Sequence, residues 1–385
     1  MSAISNEMET LLATGSVLRT MFEEGKKLAL QYGKENVYDF SLGNPSIPAP
    51  EAFNQALKEA LDSFDPLTLH GYMSNAGYDD TRKAIADDLN SRFGADYKVN
   101  NISMTVGAAN ALVAFMKIII NPGDEVAVFA PFFLEYRNYI ANFGGVTTIV
   151  PPNPPTFMPD PAKLMETLSK KTKAVIINNP NNPTGAVYDA ETVREIAAVL
   201  AQAEEQFGHP IYLISDEPYR ELVYGDTKVP FLPDFYKNTV IAYSYSKSLS
   251  IPGERIGYLA VADQVEEAAM LNQAAAIAVR VLGCVNAPSL QQKAIIKAVN
   301  ERSDIAEYDK NRKILLDGLK DAGFSYVEPA GAFYVFVKTP IEDDREFAEY
   351  AKNQYRILTS AGSAFYCPGY VRLAYCVDRE MIRRS

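Results

Sequence analysis

Short apolar runs alternate with helical stretches from about Asn101 to Ala262, and that rhythm leaves few architectures open. Strands separated by helices pair mostly in parallel, and the helices then cover the sheet. Several of the runs end in residues with chemistry to offer. Ala174-Val175-Ile176-Ile177 leads to Asn182 in Asn181-Asn182-Pro183-Thr184-Gly185. Asp216, in Ser215-Asp216-Glu217-Pro218-Tyr219, directly follows an apolar run. So does Tyr243-Ser244-Tyr245-Ser246-Lys247-Ser248, with Arg255 shortly after it in Pro252-Gly253-Glu254-Arg255-Ile256-Gly257. Ligands of an open parallel sheet bind outside the carboxyl ends of its strands. The spacing therefore predicts one pocket holding an amide, a carboxylate, a phenol, a lysine and an arginine.

A lysine amine is a poor nucleophile at its ordinary pKa of about 10.4. Burial or a neighbouring cation lowers that value and frees the amine for Schiff-base chemistry. A lysine linked to pyridoxal phosphate (PLP) needs a carboxylate to keep the pyridine nitrogen protonated, and Asp216 suits that role. Asn182 and Tyr219 can hold the ring's phenolic oxygen. Phe133 follows the strand-like Val126-Ala127-Val128-Phe129 and can cover a flat ring.

The phosphate parts are legible too. Asn101 to Val106 alternates like a strand, and Gly107-Ala108-Ala109-Asn110 opens a helix over 107–116. Such an entry offers free amides and the positive end of a helix dipole to an anion. Ser244, Ser246 and Arg255 complete the set, since arginine grips phosphate with two donors.

With these segments in view, the chain resembles the class I aminotransferases of the aspartate aminotransferase superfamily, PLP fold type I. The likeness runs from Ser41 to near the C-terminus and rests on Asn-Pro-Thr-Gly, Ser-Asp-Glu-Pro-Tyr, Ser-Tyr-Ser-Lys and Glu-Arg-Ile-Gly in order. Each motif alone is weak; the ordered set is specific. The resemblance implies an α/β fold: a large domain with a mostly parallel, seven-stranded-type sheet between helices, plus a smaller α+β domain. It implies Lys247 as Schiff-base lysine and proton shuttle, Asp216 on the pyridine nitrogen, and Asn182 and Tyr219 on the phenolic oxygen. Ser244, Arg255 and the Ala108 and Ala109 amides would hold phosphate. Arg372, in Tyr370-Val371-Arg372-Leu373, would clamp the substrate α-carboxylate together with the Gly43 backbone. Tyr72 would serve the phosphate of a neighbouring subunit, which makes a homodimer with shared sites. Phe133 stands where many members carry tryptophan. Members also continue the helix that opens near Arg383; here either the end is truncated or the small domain closes differently.

Plainer readings compete at each position. Lysines are as a rule solvated, Asp216 suits a cap or turn, and Asn182-Pro183-Thr184-Gly185 makes a good turn in its own right. Phe133 suits a core, and Arg372 in an alternating run suits a surface. Ser244-Tyr245-Ser246-Lys247 also fits S-x-x-K, but the S-D-N and K-T-G that penicillin-recognising enzymes need are missing. His70 and His209 have no partner at metal spacing, so no metal site is expected, and Lys247 is left as the proton carrier.

The net charge is −11, from 37 basic and 48 acidic residues, with no basic cluster. Nucleic acid and anionic membranes are poor partners for such a chain, so local arginines must bind an anionic cofactor. Three cysteines make no disulfide framework, and no apolar stretch is long enough to span a membrane. A cytoplasmic enzyme is expected.

At 385 residues two domains are expected. The resemblance divides them as residues 1–43 packing with the small domain, 44–288 as the large PLP-binding domain, and 289–385 as the small domain. Helices are predicted over Glu191–Phe207, Gln264–Val281 and, as one long element, Ser289–Ala322. Strand-like runs cover 324–327, 332–337 and 371–375. The expected reaction moves an amino group between an L-amino acid and a 2-oxo acid by a ping-pong route. Aspartate is the favoured donor and aromatic amino acids come next. Arg280 is a candidate second arginine for a dicarboxylic substrate. A PLP-dependent C–S β-lyase and a non-catalytic PLP-binding regulatory module are the alternatives.

Overall fold

The computed structural model describes residues 3–14 and 17–385. Seven strands form the central sheet: β1 (Ile102–Thr105), β2 (Glu125–Phe129), β3 (Val146–Val150), β4 (Thr172–Asn178), β5 (Tyr212–Asp216), β6 (Thr239–Ser244) and β7 (Gly257–Val261). Their order is β1-β7-β6-β5-β4-β2-β3. β7 runs antiparallel to both of its neighbours, and the other pairings are parallel.

The sheet is buried on both faces, which is why its strands read as continuous apolar runs. Val126, Val128, Ile176 and Ile214 pack on one side with Leu112, Phe115 and Met116 of helix α1 (Gly107–Ile119). Ala127, Phe129, Val175 and Ile177 pack on the other with Ile196 and Leu200 of α2 (Ala190–Phe207). Asp189 caps α2 by accepting from Thr192 N at 2.8 Å, and Gly208 closes it in the left-handed region. Those are the ordinary start and stop signals of a helix.

Three predicted elements differ. Helix α3 covers Ala268–Val279 instead of Gln264–Val281, entered through Glu267 at positive φ and followed by a wide turn, Arg280–Cys284. The long element predicted over Ser289–Ala322 is two helices, α4 (Ser289–Ala298) and α5 (Ile305–Asp321). Asp304 starts the second by accepting from Ala306 N at 3.1 Å, and Arg302 covers the Val299 and Glu301 carbonyls between them. α4 buries Ala294, Ile295 and Ala298 beside Phe53, Ile85 and Met104, whereas α5 packs Tyr308 and Leu315 on a second core. Third, 324–327 forms no strand; Tyr326 makes one bridge to Val337.

That second core is built on a small antiparallel sheet of β8 (Tyr334–Lys338), β9 (Ser360–Ala361) and β10 (Tyr370–Ala374), in the order β9-β10-β8. The N-terminal segment joins it. Tyr38–Asp39 pairs with Ile357–Leu358, Phe40 enters the core, and Phe40 O accepts from Ala374 N at 2.9 Å. This anchoring carries Ser41 to Gly43 toward the rim of the large sheet.

Candidate active site

Strand direction brings the functional groups together. β4, β5 and β6 end at the same rim, where Asn178 is paired with Asp216. β7 runs the other way, so it begins at that rim, with Gly257 opposite both Ser244 and Thr105. Arg255, just before β7, is thereby delivered beside the turn that follows β6. A cavity of about 270 Å³ opens there, lined by Lys247, Asp216, Tyr219, Asn182, Arg255 and Arg372 among others.

One end of the cavity suits an anion. Arg255 lies at the exposed edge and donates to Ser246 Oγ at 3.3 Å and to Val106 O at 3.3 Å. The Ser244 and Ser246 hydroxyls are 2.8 Å apart. α1 has no side-chain cap, so its first amides are free for a ligand, and Ala108 and Ala109 line the cavity. Gly107 opens that helix at φ 76°, and a Cβ there would lie 2.7 Å from Arg255 Nη2. A larger residue would push the arginine away from the helix terminus.

The opposite end is acidic and dry. Asp216 is buried, and burial pushes its carboxyl up to about 7, opposed by the Tyr136 hydroxyl and reinforced by Glu217. Its Oδ2 accepts from Tyr136 OH and from Asn178 Nδ2, the latter at 3.3 Å. Its Oδ1 is buried without a hydrogen-bond partner. A buried unpaired carboxylate oxygen is costly and marks a place for a ligand N–H.

Lys247 follows Ser244, which caps the short helix Tyr245–Ser248 by accepting from Ser246 N at 3.2 Å. Its Nζ donates to Gly43 O at 2.7 Å. Its surroundings lower its pKa to about 8: burial first, then the positive charges of Arg255 and Arg372, with Cys376 opposing. The amine is thus neutral in a useful share of molecules near neutral pH.

Arg372 comes from β10 and is 2 % exposed. Its Nη1 donates to Asn182 Oδ1 at 2.9 Å and its Nη2 to Ser41 O at 2.5 Å. The guanidinium lies over the Tyr334 ring, 4.6 Å from its centre. Nε has no partner. A fixed fork with donor capacity to spare suits a carboxylate.

The cavity thus gathers Lys247, Asp216, Tyr219, Asn182, Ser244, Ser246, Arg255, Ala108, Ala109, Phe133, Gly43 and Arg372. Gly107 sits at its edge against Arg255. Tyr72 does not reach it: the side chain is 93 % exposed and borders a separate depression with Cys284 and Asn286. Arg280 is exposed in the neighbouring turn. Sequence reasoning passed over Asn178, Tyr136 and Tyr334. Asn178 ends an apolar run in Ile177-Asn178-Asn179, so the rule that found Asp216 covers it as well. Tyr136 and Tyr334 reach the site through tertiary packing and carry no local signal.

A lysine at a sheet rim, sharing one cavity with a buried carboxylate, a helix start and two arginines, fits the aspartate aminotransferase fold class. The chain belongs to the family described as aminotransferase class I and II, which matches residues 35–385. It is an aminotransferase. An aspartate aminotransferase of Pyrococcus horikoshii is 32 % identical over 97 % of this chain and 93 % of its own length. The structure of an amino transferase from Eubacterium rectale superposes with a TM-score of 0.97 at 45 % identity, covering 100 % of this chain and 97 % of that one. The aspartate aminotransferase of Thermus thermophilus with maleate gives 0.87 at 26 % identity, covering 100 % and 98 %. These relatives support transamination over the C–S β-lyase and the regulatory module. Among the described residues, no helix is long and apolar enough to cross a membrane.

Proposed function

We propose that the chain transfers an amino group between an L-amino acid and a 2-oxo acid using PLP, with aspartate as the favoured donor and aromatic amino acids next. The observation that carries the reading is the unpartnered Asp216 Oδ1 in the cavity that also holds Lys247 and Arg372. When bound, PLP supplies the electron-withdrawing ring and the carbon that carries the amino group. Asp216 would hold a proton on the ring nitrogen, which removes the cost of its own buried charge. Arg255, Ser244, Ser246 and the Ala108 and Ala109 amides would take the phosphate. Tyr219 and the Nδ2 of Asn182 would donate to the phenolic oxygen, and Phe133 would cover the ring. Arg372 would grip the α-carboxylate with the Gly43 backbone. Lys247 Nζ would hold the cofactor covalently and, once displaced by the substrate amine, carry the α-proton.

The domain division belongs to the proposal: 44–288 carries the cofactor, and 1–43 with 289–385 closes over it. Because α4 lies on the large core, such closure hinges beyond Ala298. So does a homodimer, in which Tyr72 and Arg280 serve the other subunit's cavity. The arginines lining this cavity are Arg255 and Arg372. A second carboxylate would therefore need a cation from outside, and Arg280 adjoins Tyr72's depression through Cys284. A cytoplasmic setting is proposed on the three free cysteines.

The test is a single-turnover spectrum of the PLP-loaded protein with aspartate, glutamate, alanine, tyrosine or cystathionine, without oxo acid. Aspartate should discharge the cofactor band fastest and yield one equivalent of oxo acid. Continuous release of pyruvate and ammonia would overturn the reading. Arg372→Ala should raise KM about 10²-fold for every donor alike, because a buried charge pair is lost from the part all donors share. An effect confined to one donor would mean that Arg372 reads the side chain instead.

A further inference from the structure

Tyr219 and Tyr334 meet hydroxyl to hydroxyl at 2.9 Å, both buried. Each phenol has one proton to give. Tyr334 OH has no other hydrogen-bond partner among the described residues. It also fills the space over Gly43, where an added Cβ would lie 1.8 Å from it. Tyr334 opens β8 on the small sheet, while Tyr219 follows β5 of the large one, so this bond joins the two halves of the site.

We propose that Tyr334 is a positioning residue that fixes the direction of the Tyr219 hydroxyl proton, turning it toward the cofactor's phenolic oxygen. The inference rests on the PLP reading above. With Tyr219 donating to the cofactor, its oxygen is left to accept, and Tyr334 is the donor in reach. A donor so supported is itself strengthened, because hydrogen bonds in series polarise one another. The charged and titratable groups facing the pair are Arg372, Asp216, Cys376 and Tyr308. Burial raises both phenols, and Arg372 opposes that shift at each. The same contact ties the carboxylate clamp to the phenol, since Arg372 lies over the ring whose hydroxyl steers Tyr219.

The test follows the absorbance of bound PLP against pH in wild type, Tyr219→Phe, Tyr334→Phe and the double variant. Tyr334→Phe deletes one oxygen and keeps the ring that packs on Arg372, so the fold is retained. Weaker donation leaves the phenolic oxygen more basic and favours the protonated lysine linkage. The midpoint should therefore rise by about one pH unit in Tyr334→Phe, and further in Tyr219→Phe. The double variant should match Tyr219→Phe, because Tyr334 acts only through Tyr219. An unchanged midpoint in Tyr334→Phe would overturn the inference. An equal added shift in the Tyr219→Phe background would do the same, since it would show that the effect bypasses Tyr219. A wild-type protein with no pH-dependent cofactor band would instead overturn the PLP reading itself.

Discussion

Lys247→Ala is expected to lower amino-group transfer by about 10⁴-fold, because on the proposed assignment one side chain would both hold the cofactor and move the proton. Borohydride treatment of the PLP-loaded wild type should fix the cofactor to Lys247, and the variant should show no such adduct. An adduct on another lysine would place the covalent chemistry elsewhere. The variant should still bind PLP non-covalently, because Arg255, Ser246 and the start of α1 are untouched. In the wild type, burial, aided by Arg255 and Arg372, brings the Lys247 amine down to about 8. Only the neutral amine attacks a carbonyl. The rate at which cofactor-free protein captures PLP covalently should therefore climb as pH rises toward 8 and level off above it. Stopped-flow absorbance measures this directly, and a rate still climbing steeply at pH 10 would mean that the amine is not desolvated.

Asp216→Asn is expected to cost about 10³-fold in kcat, since it removes the charge that would hold a proton on the ring nitrogen. Its effect on the cofactor-free protein should have the opposite sign. Burial raises the Asp216 carboxyl from its usual 3.8 to about 7. Between those values the folded protein binds a proton that the unfolded chain does not, so this group makes stability fall as pH rises through that window. Above about 7 the carboxylate is charged, and the full penalty applies. Asp216→Asn should consequently melt at or above the wild-type temperature at pH 8 when cofactor is absent, and differ little at pH 4. Differential scanning calorimetry of both proteins in both conditions checks the sign. A variant that melts lower at pH 8 would show that the bonds from Tyr136 and Asn178 outweigh the penalty of the buried charge. Above about pH 7 the residue thus has a cost in the cofactor-free protein that a cationic ligand would remove.

Much of this site could be read from the chain because a parallel sheet converts sequence order into position. Asn182, Asp216, Ser244 and Lys247 stand just past apolar runs, and such residues have one place to go. The same logic covers Asn178. It fails for Tyr334 and Tyr136, whose roles depend on how the small sheet and the segment after β2 fold back onto the rim. It fails also where helix signals conflict. Ser289 to Ala322 reads as one helix by composition, and only the weak cap at Asp304 and the arginine at 302 divide it. The run at 324–327 has strand-like alternation, yet only Tyr326 bridges, to Val337 at the outer edge of β8. Tyr72 was named through the resemblance, and its exposed ring lies outside the cavity, beside Cys284 and Asn286.

The carboxylate clamp is assembled from pieces made far apart in time. Ser41 lies near the start of the chain, Asn182 in the middle, and Arg372 on the last strand. The proposed phosphate cradle of one chain, in contrast, would draw on residues 105–257, around one rim of a single sheet. During synthesis the cradle's residues are all available well before Arg372 emerges. On the proposed assignment, anion capture and amino acid recognition would be separable stages of maturation: a nascent chain that stops short of β10 would hold its own phosphate-binding groups and lack Arg372 for the substrate. The last strand would then act as a commissioning step, in which the finished protein gains its selectivity for amino acids.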